Sequence, residues 1–403
     1  MLPKDALVRM RAQVAPTTDI EMVDLAQCHG RVLAEDVVAA IDLPPFANSA
    51  MDGYAIRSAE VAAGTTMTIA GKAFAGVPFE AECPAGQCVR IMTGALLPSG
   101  LDTIVMQENT SSDGDQVTFN FDCKHGQFVR GRGSELAAGT TVLTKGQRIS
   151  PTEIGVLATV GVAQVKVYRQ LTVALFSTGD ELKAPGEPLQ AGEIYDSNRH
   201  ALRHMLEQMQ VKVIDLGVIS DDIDKVRAAF EQADALADVV VTSGGVSVGE
   251  ADFIKIILDE MGQVNFWKLA IKPGKPFAFG SLPNSWFCGL PGNPVSSMVT
   301  CYELVQPLLS HLGGEAQKTP LLFNATLTTA LKKGPGRQEY QRGVLTQAAD
   351  GSLQVAATGA QSSDMTTSMS RANCFIVLPK EKQDPQAGET VTVEPFSAVL
   401  GGL

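Results

Sequence analysis

The 403-residue chain lacks any stretch approaching 18 consecutive apolar residues, so no membrane span is expected. Its opening, MLPKDALVRMRAQ, mixes charges and has no apolar core, so no signal peptide is visible and a cytoplasmic location is expected. A basic surplus is missing as well. Lys+Arg number 32 against 44 Asp+Glu, for a formal charge of −12. A broad nucleic-acid footprint needs a basic face, so that class is set aside. An anionic small ligand held by a few local Lys, Arg and backbone N–H groups stays open. Neither GxxxxGK[ST] nor GxGxxG occurs, which removes the common ATPase and dinucleotide readings. His200 and His204 are four apart, but no Glu follows the first, so HExxH fails. The seven cysteines are odd in number and widely spread, as expected of free thiols in a reducing compartment. Cys83, Cys88, Cys123 and His125 fit no standard zinc spacing. There is no internal repeat and no low-complexity tract.

What is present is 45% apolar residue with 38 Gly and 21 Pro, enough for several cored domains with many turns. Residues 4–30 read as a helix and its exit, with Ala6, Leu7, Met10 and Val14 at helical spacing. From 46 to 140, short β runs alternate with Gly, Pro, Asn and Asp, and Asp113-Gly-Asp115 signals a hairpin. Ser150-Pro-Thr-Glu153 is a capping box that opens a helix, which is expected to pack back on the N-terminal segment. From 171 to 317, apolar strands alternate with helices, the mark of a parallel-rich sheet covered on both faces. Residues 318–403 return to short strands. The expected architecture is multidomain α/β plus β. A split domain covers 1–45 and 141–170, an inserted β domain 46–140, a three-layer α/β domain 171–317 and a terminal β domain 318–403.

Ligands of open α/β sheets bind outside the carboxyl ends of parallel strands. Three strands there end in unusual Gly-bearing loops, the first two with hydroxyls: Ser177-Thr178-Gly179-Asp180-Glu181, Ser243-Gly244-Gly245-Val-Ser247, and Pro291-Gly-Asn293-Pro294. Gly permits close backbone approach, and amides at a helix start attract anions, so a phosphate-type pocket is expected. The acids Asp180, Glu181, Asp221, Asp222, Glu250 and Asp252 sit near the same strand exits. Beside an anion they call for a cation such as Mg2+, which takes one or two carboxylates, water and substrate phosphate. Asp222 reads instead as a helix cap. Lys268, Lys272 and Lys275 flank the Pro273-Gly274 turn and suit an oxyanion. Lys332, Lys333, Arg337 and Arg342 form a second basic cluster, read as a solvated turn. Gly245-Val-Ser247-Val-Gly249 matches GxSxG. Four residues separate Thr242 from Ser247, however, and the only later His is His311, which argues against a serine-hydrolase elbow.

Six stretches in this order, NSAMDGYA (48–55), IMTGA (91–95), STGDEL (177–182), SGGVSVGEAD (243–252), IKPGKP (271–276) and LPGNPVS (290–296), resemble the molybdopterin molybdenumtransferases. These are relatives of the C-terminal part of gephyrin, and the resemblance spans essentially the whole chain. It implies a C-terminal β-barrel and a homodimer with its site between subunits. It also implies insertion of molybdenum from the substrate molybdate into molybdopterin. Mg2+-dependent hydrolysis of molybdopterin-adenylate and release of AMP would accompany that step. A molybdopterin adenylyltransferase is the implied partner protein, with no nucleic acid and no membrane. By this resemblance Asp52, Thr93, Glu181, Asp221 and Asp252 occupy functional positions, and Asp221 and Asp252 hold Mg2+ or the adenylate. Lys272, Lys275 and Ser247 face the oxyanion or phosphate, joined by Arg342 and Ser363 from the barrel. Glu135 stands where the family usually carries a metal-site Asp. Its extra methylene moves the charge by roughly 1.5 Å. A non-catalytic, gephyrin-like peptide-binding scaffold is the alternative, and tungstate is a rival oxyanion.

Overall fold

The computed structural model describes residues 1–244 and 252–401; the side chains of 252, 253 and 266 lie outside the description. Helix α1 (Pro3–Gln13) buries Ala6 and Met10 against the central domain. The chain then forms a strand that helical spacing did not indicate, β1 (Ile20–Asp24). Helix α2 (Pro151–Thr159) opens with both halves of the expected capping box, Ser150 and Glu153. It stops before Gly161, whose φ is +76°. Strand β2 (Gln164–Tyr168) then pairs antiparallel with β1. Leu157 of α2 shares one small core with Val23, Cys28 and Leu33, so the segments either side of the insertion pack together.

The insertion is a six-stranded sheet in the spatial order 103–106, 53–56, 87–91, 66–73, 116–119, 110–113. Thr110–Asp113 and Gln116–Phe119 form the expected hairpin, with Gly114 at φ +56°. Two apolar clusters, one around Ile91 and Ile104 and one around Phe119 and Val117, fill its two faces.

The central domain builds the platform for the site. Its elements are β3 (Thr172–Thr178), α3 (Ser197–Gln208), β4 (Lys212–Ile219), α4 (Ile223–Leu236), β5 (Val239–Ser243) and α5 (Asp252–Met261). They are followed by β6 (Gln263–Lys268), β7 (Ile271–Lys272), β8 (Pro276–Ser281), β9 (Trp286–Leu290) and α6 (Pro294–Thr300). The sheet order is β4-β3-β5-β9-β8-β6. The first four strands are parallel; β8 and β6 are antiparallel additions. The sheet is therefore mixed, though parallel at its centre. The physical cause is connection length. Residues 282–285 close a tight turn through Leu282 N–H to Ser285 O (2.8 Å), too short for a crossover.

One face of the sheet buries Val173, Leu175 and Val241 under α1, α3 and α6, and the other buries Ala174, Phe176 and Val240 under α4 and α5. Helix α6 runs into a π turn, Cys301–Val305, before the chain resumes as α7 (Gln306–Leu312). The widening falls just before Pro307, which has no N–H to give the carbonyl of Glu303.

The C-terminal strands β10 (Phe323–Leu327), β11 (Gln338–Gln347), β12 (Leu353–Ala357), β13 (Cys374–Leu378) and β14 (Thr390–Pro395) close on themselves, because β11 pairs with both β12 and β13. This is the expected barrel. Its Phe375 and Phe396 join the central core, Phe375 packing edge-on to Tyr302 at 5.8 Å. Strand β7 adds to the barrel by pairing with β11, Lys272 opposite Glu339.

Candidate functional site

Parallel register places the three Gly loops side by side. Ser177 of β3 lies opposite Ser243 of β5, and Ser243 opposite Leu290 of β9. The described starts of the loops after these strands, as far as Gly244 in the second, therefore form one rim.

The rim is tightly braced. Gly244 N–H donates to Leu290 O at 3.2 Å. A Cβ on Gly244, whose φ is +94°, would meet Thr178 O at 3.1 Å. Gly179 has φ +145°, and a Cβ there would meet the Glu181 carboxylate at 2.5 Å. Glycine at 179 thus lets that carboxylate fold back over the turn. Ser177 is buried, and its hydroxyl donates to Asp196 at 3.3 Å. Asp196, the N-cap of α3, also pairs with Arg199 at 2.8 Å.

The third loop joins the barrel. Asn293 stands at the N-cap position of α6 but makes no cap bond; its Nδ2 donates to Ser363 Oγ at 2.9 Å. Val295 N–H donates to Ser363 O at 3.0 Å. Pro291 is buried beneath the rim and Pro294 starts the helix. Ser363 therefore lies beside the third loop.

The acids separate by role. Asp222 caps α4, accepting from the N–H groups of Asp224 and Lys225 at 3.0 and 3.1 Å. Asp180 Oδ1 accepts from Asp221 N–H at 3.1 Å, which ties the exits of neighbouring strands β3 and β4 together. Glu181 is exposed. Asp252 begins α5, but its side chain lies outside the described residues, as do Gly245, Ser247 and Glu250. Among the described residues no three His, Cys, Asp or Glu gather as a metal site.

Lys268 and Lys275 are exposed, and Leu269 N–H to Lys275 O (2.8 Å) closes the turn between them. Gly274 (φ +107°) seats the turn on α6, since a Cβ would meet Thr300 Oγ1 at 2.6 Å. Lys272 Nζ lies 3.4 and 3.5 Å from the oxygens of buried Glu339, which also accepts from Gln341 at 2.9 Å. Arg342 is not solvated, as the basic-cluster reading expected. It is 1% exposed and holds the 358–370 loop through Ser368 Oγ (3.0 Å) and Ser362 O (2.9 Å). Burial lowers its pKa to about 10. Lys333 is also buried, and its ammonium donates to Gly334 O at 2.9 Å. Both basic groups act as structure, because buried donors need partners.

A second corner lies on the inserted sheet. Asp52 Oδ1 accepts from Thr93 N–H and Thr93 Oγ, both at 2.8 Å. The Thr93 amide, then its hydroxyl, hold the Asp52 pKa below the usual carboxylate range. Glu135 is exposed and its N–H donates to Leu43 O at 2.9 Å. His311 Nε2 faces Val14 O at 2.9 Å, so the one His after Ser247 is engaged with the N-terminal segment.

Sequence reasoning missed Asn198 and Glu339. Asn198 looked like the opening of a helix; its Nδ2 bridges Ser243 Oγ (2.8 Å) and Gly292 O (2.6 Å). Nothing local in the sequence marks Glu339, which becomes a partner of Lys272 only when the barrel docks.

Fold and rim together define an α/β protein whose Gly-bearing loops lie outside the carboxyl ends of parallel strands, with a β-barrel packed beside the third of them. Family models agree segment by segment. Residues 2–161 match the MoeA N-terminal region (domain I and II), 174–311 a "probable molybdopterin binding domain" and 324–396 the MoeA C-terminal region (domain IV). The chain is 48% identical over 395 residues to a molybdopterin molybdenumtransferase of Haemophilus influenzae, covering 98% of each. It is 36% identical over 386 residues to one from a Nostoc species, covering 93% of this chain and 88% of that one. A crystal structure of the molybdopterin biosynthesis moeA protein from Pyrococcus horikoshii superposes with a TM-score of 0.84 at 26% identity, covering 98% and 100%. The chain belongs to the molybdopterin molybdenumtransferase family.

Proposed function

We propose that this protein inserts molybdenum from molybdate into molybdopterin, the molybdenum-insertion step of molybdenum cofactor biosynthesis. Molybdopterin-adenylate is hydrolysed at its phosphoanhydride and AMP leaves. The observation that carries the reading is the rim: strands β3, β5 and β9 in parallel register, each followed by a Gly-bearing loop, beside a turn bearing Lys268, Lys272 and Lys275. Molybdate is a small doubly negative oxyanion. Compact ammonium charges and hydroxyl donors match it, with no need for a positive protein overall.

Thr178, Gly179, Ser243, Gly244 and Asn293 line the substrate cleft in this reading, with Ser247 and Gly245 from the same second loop. Ser177 and Arg342 support the cleft from below, since their hydroxyl and guanidinium donate to partners within the protein, whereas, among the described residues, the equally buried Ser243 only accepts, from Asn198. Ser363 brings the barrel to the rim. Asp180 and Asp221 sit at the exits of neighbouring strands, joined by Asp221 N–H to Asp180 Oδ1 at 3.1 Å, and carboxylate oxygens are the donor type that Mg2+ takes. Asp221 and Asp252 are assigned to hold the ion, which when bound neutralises substrate phosphate. Glu181, folded over Gly179, positions the attacking water or receives its proton. Lys272 and Lys275 bind the oxyanion.

Asp52, Thr93 and Glu135 come from a second subunit of a homodimer in this proposal. The protein is cytoplasmic, takes its adenylate from a molybdopterin adenylyltransferase, and divides at 1–45 with 141–170, 46–140, 171–317 and 318–403. Incubation with molybdopterin-adenylate, molybdate and Mg2+ tests the activity by AMP release. Intact AMP binding without release would favour a scaffold, and tungstate competition would settle the choice of oxyanion.

A further inference from the structure

The three loops of the rim are braced from one place, the first turn of α3. Asp196 accepts from Ser177 Oγ at 3.3 Å, below the first loop. Asn198 Nδ2 reaches Ser243 Oγ at 2.8 Å and Gly292 O at 2.6 Å, in the second and third loops. The carbonyl of Gly292 can only accept, so the nitrogen of the amide must face it. Both amide hydrogens are thereby committed, one to each loop. A serine hydroxyl has one hydrogen and two lone pairs. With a lone pair of Ser243 Oγ engaged by Asn198, its own hydrogen is left to donate. The same amide occupies the Gly292 carbonyl, a negative dipole end that would otherwise oppose an anion.

We propose that Asn198 is a positioning residue: it sets the Ser243 hydroxyl as a donor toward an oxyanion, either molybdate or the phosphate of an adenylate, and masks the third loop's carbonyl. This rests on Ser243 lining the substrate cleft as proposed above. Aspartate cannot substitute. It has the same shape, but its carboxylate donates to neither loop, draws the Ser243 hydrogen to itself and adds a charge that repels the ligand.

The test uses the full-length protein and the variants Asn198→Ala, Asn198→Asp, Ser243→Ala and the Ala/Ala double. Each is titrated calorimetrically with AMP and, separately, with molybdate, with melting temperature as the control for folding. Asn198→Ala is expected to weaken at least one anion roughly tenfold, the loss of an oriented hydrogen bond to a charged group. Asn198→Asp is expected to weaken it further at an unchanged melting temperature. The double variant should bind within about twofold of Ser243→Ala, because the two residues act as a unit. The arm that loses affinity identifies the anion. Wild-type affinity of both Asn198 variants for both anions, or additive losses in the double, would overturn the inference. If Ser243→Ala leaves both affinities unchanged, the assignment of Ser243 to the cleft falls and this inference with it. If Ser243→Ala weakens binding and Asn198→Ala does not couple to it, only the inference falls.

Discussion

The rim of the central sheet and the seam between α6–α7 and the barrel both carry carboxylates, yet they treat them in opposite ways. At the rim and its companion corner the acids are solvated and meet donors. Asp52 is fully exposed, and the Thr93 amide and hydroxyl pull its pKa down. At the seam, Glu394 of β14 is 8% exposed, and Glu303 in the π turn has Oε1 sealed from solvent without a partner. Desolvation pushes Glu303 well above the ordinary range, the Glu394 charge adds to it, and the Tyr340 hydroxyl gives back a hydrogen bond. Burial likewise raises Glu394 to about 7. The carboxylate is held ionised where amide and hydroxyl donors meet it in solvent, and it holds its proton more tightly where burial and a second carboxylate surround it.

That contrast can be attacked from either side. The largest effect is expected at the rim. Asp221→Asn should keep the backbone bond to Asp180, remove one charge, and cut AMP release by about 10²–10³-fold, the scale of losing one electrostatic group from a transition state. Release within tenfold of wild type would remove Asp221 from the metal set.

The next effect is at the seam and is one of stability. Glu394 has a folded pKa of about 7 against an ordinary 4.5, so the folded state binds this proton more tightly than the unfolded chain. Its stabilisation is complete below pH 4.5 and is lost as pH rises through 7. The full swing is at most roughly 3 kcal/mol. Glu394→Gln should flatten that slope in urea melts run between pH 5 and pH 8. An unchanged slope would mean that the seam does not hold the proton.

Gly179→Ala should cost about 1–3 kcal/mol of stability, since φ +145° is strained for alanine, and should displace Glu181. A melt and an AMP-release assay together separate strain from lost positioning. Smallest in stability is Thr93→Val: on an exposed corner it should barely move the melting temperature, while AMP release falls if the corner meets substrate. Equal activity would detach this corner from the reaction.

Much of the fold was legible because it rests on local patterns. The capping box at Ser150, the hairpin at Asp113, the cap at Asp222 and the apolar strands 171–176, 211–219 and 238–242 all follow short-range rules, and each formed. Strand β1 was hidden because Ile20, Glu21 and Met22 are exposed and give no alternation to read. The antiparallel end of the sheet was hidden because pairing direction depends on what the connections permit in space.

The residue order alone determined three Gly loops at three strand ends, because strand–loop–helix punctuation is written in adjacent residues. Only the tertiary structure decided which polar groups face a ligand and which become scaffolding. Arg342, Ser177 and Lys333 look like free donors in the sequence and are buried, bonded supports in the protein. Asn198 and Glu339 look ordinary and become braces. A side chain's role is set by its solvent exposure and its partners, and both are created when segments more than 40 residues apart, such as Asn198 and Ser243, close against each other.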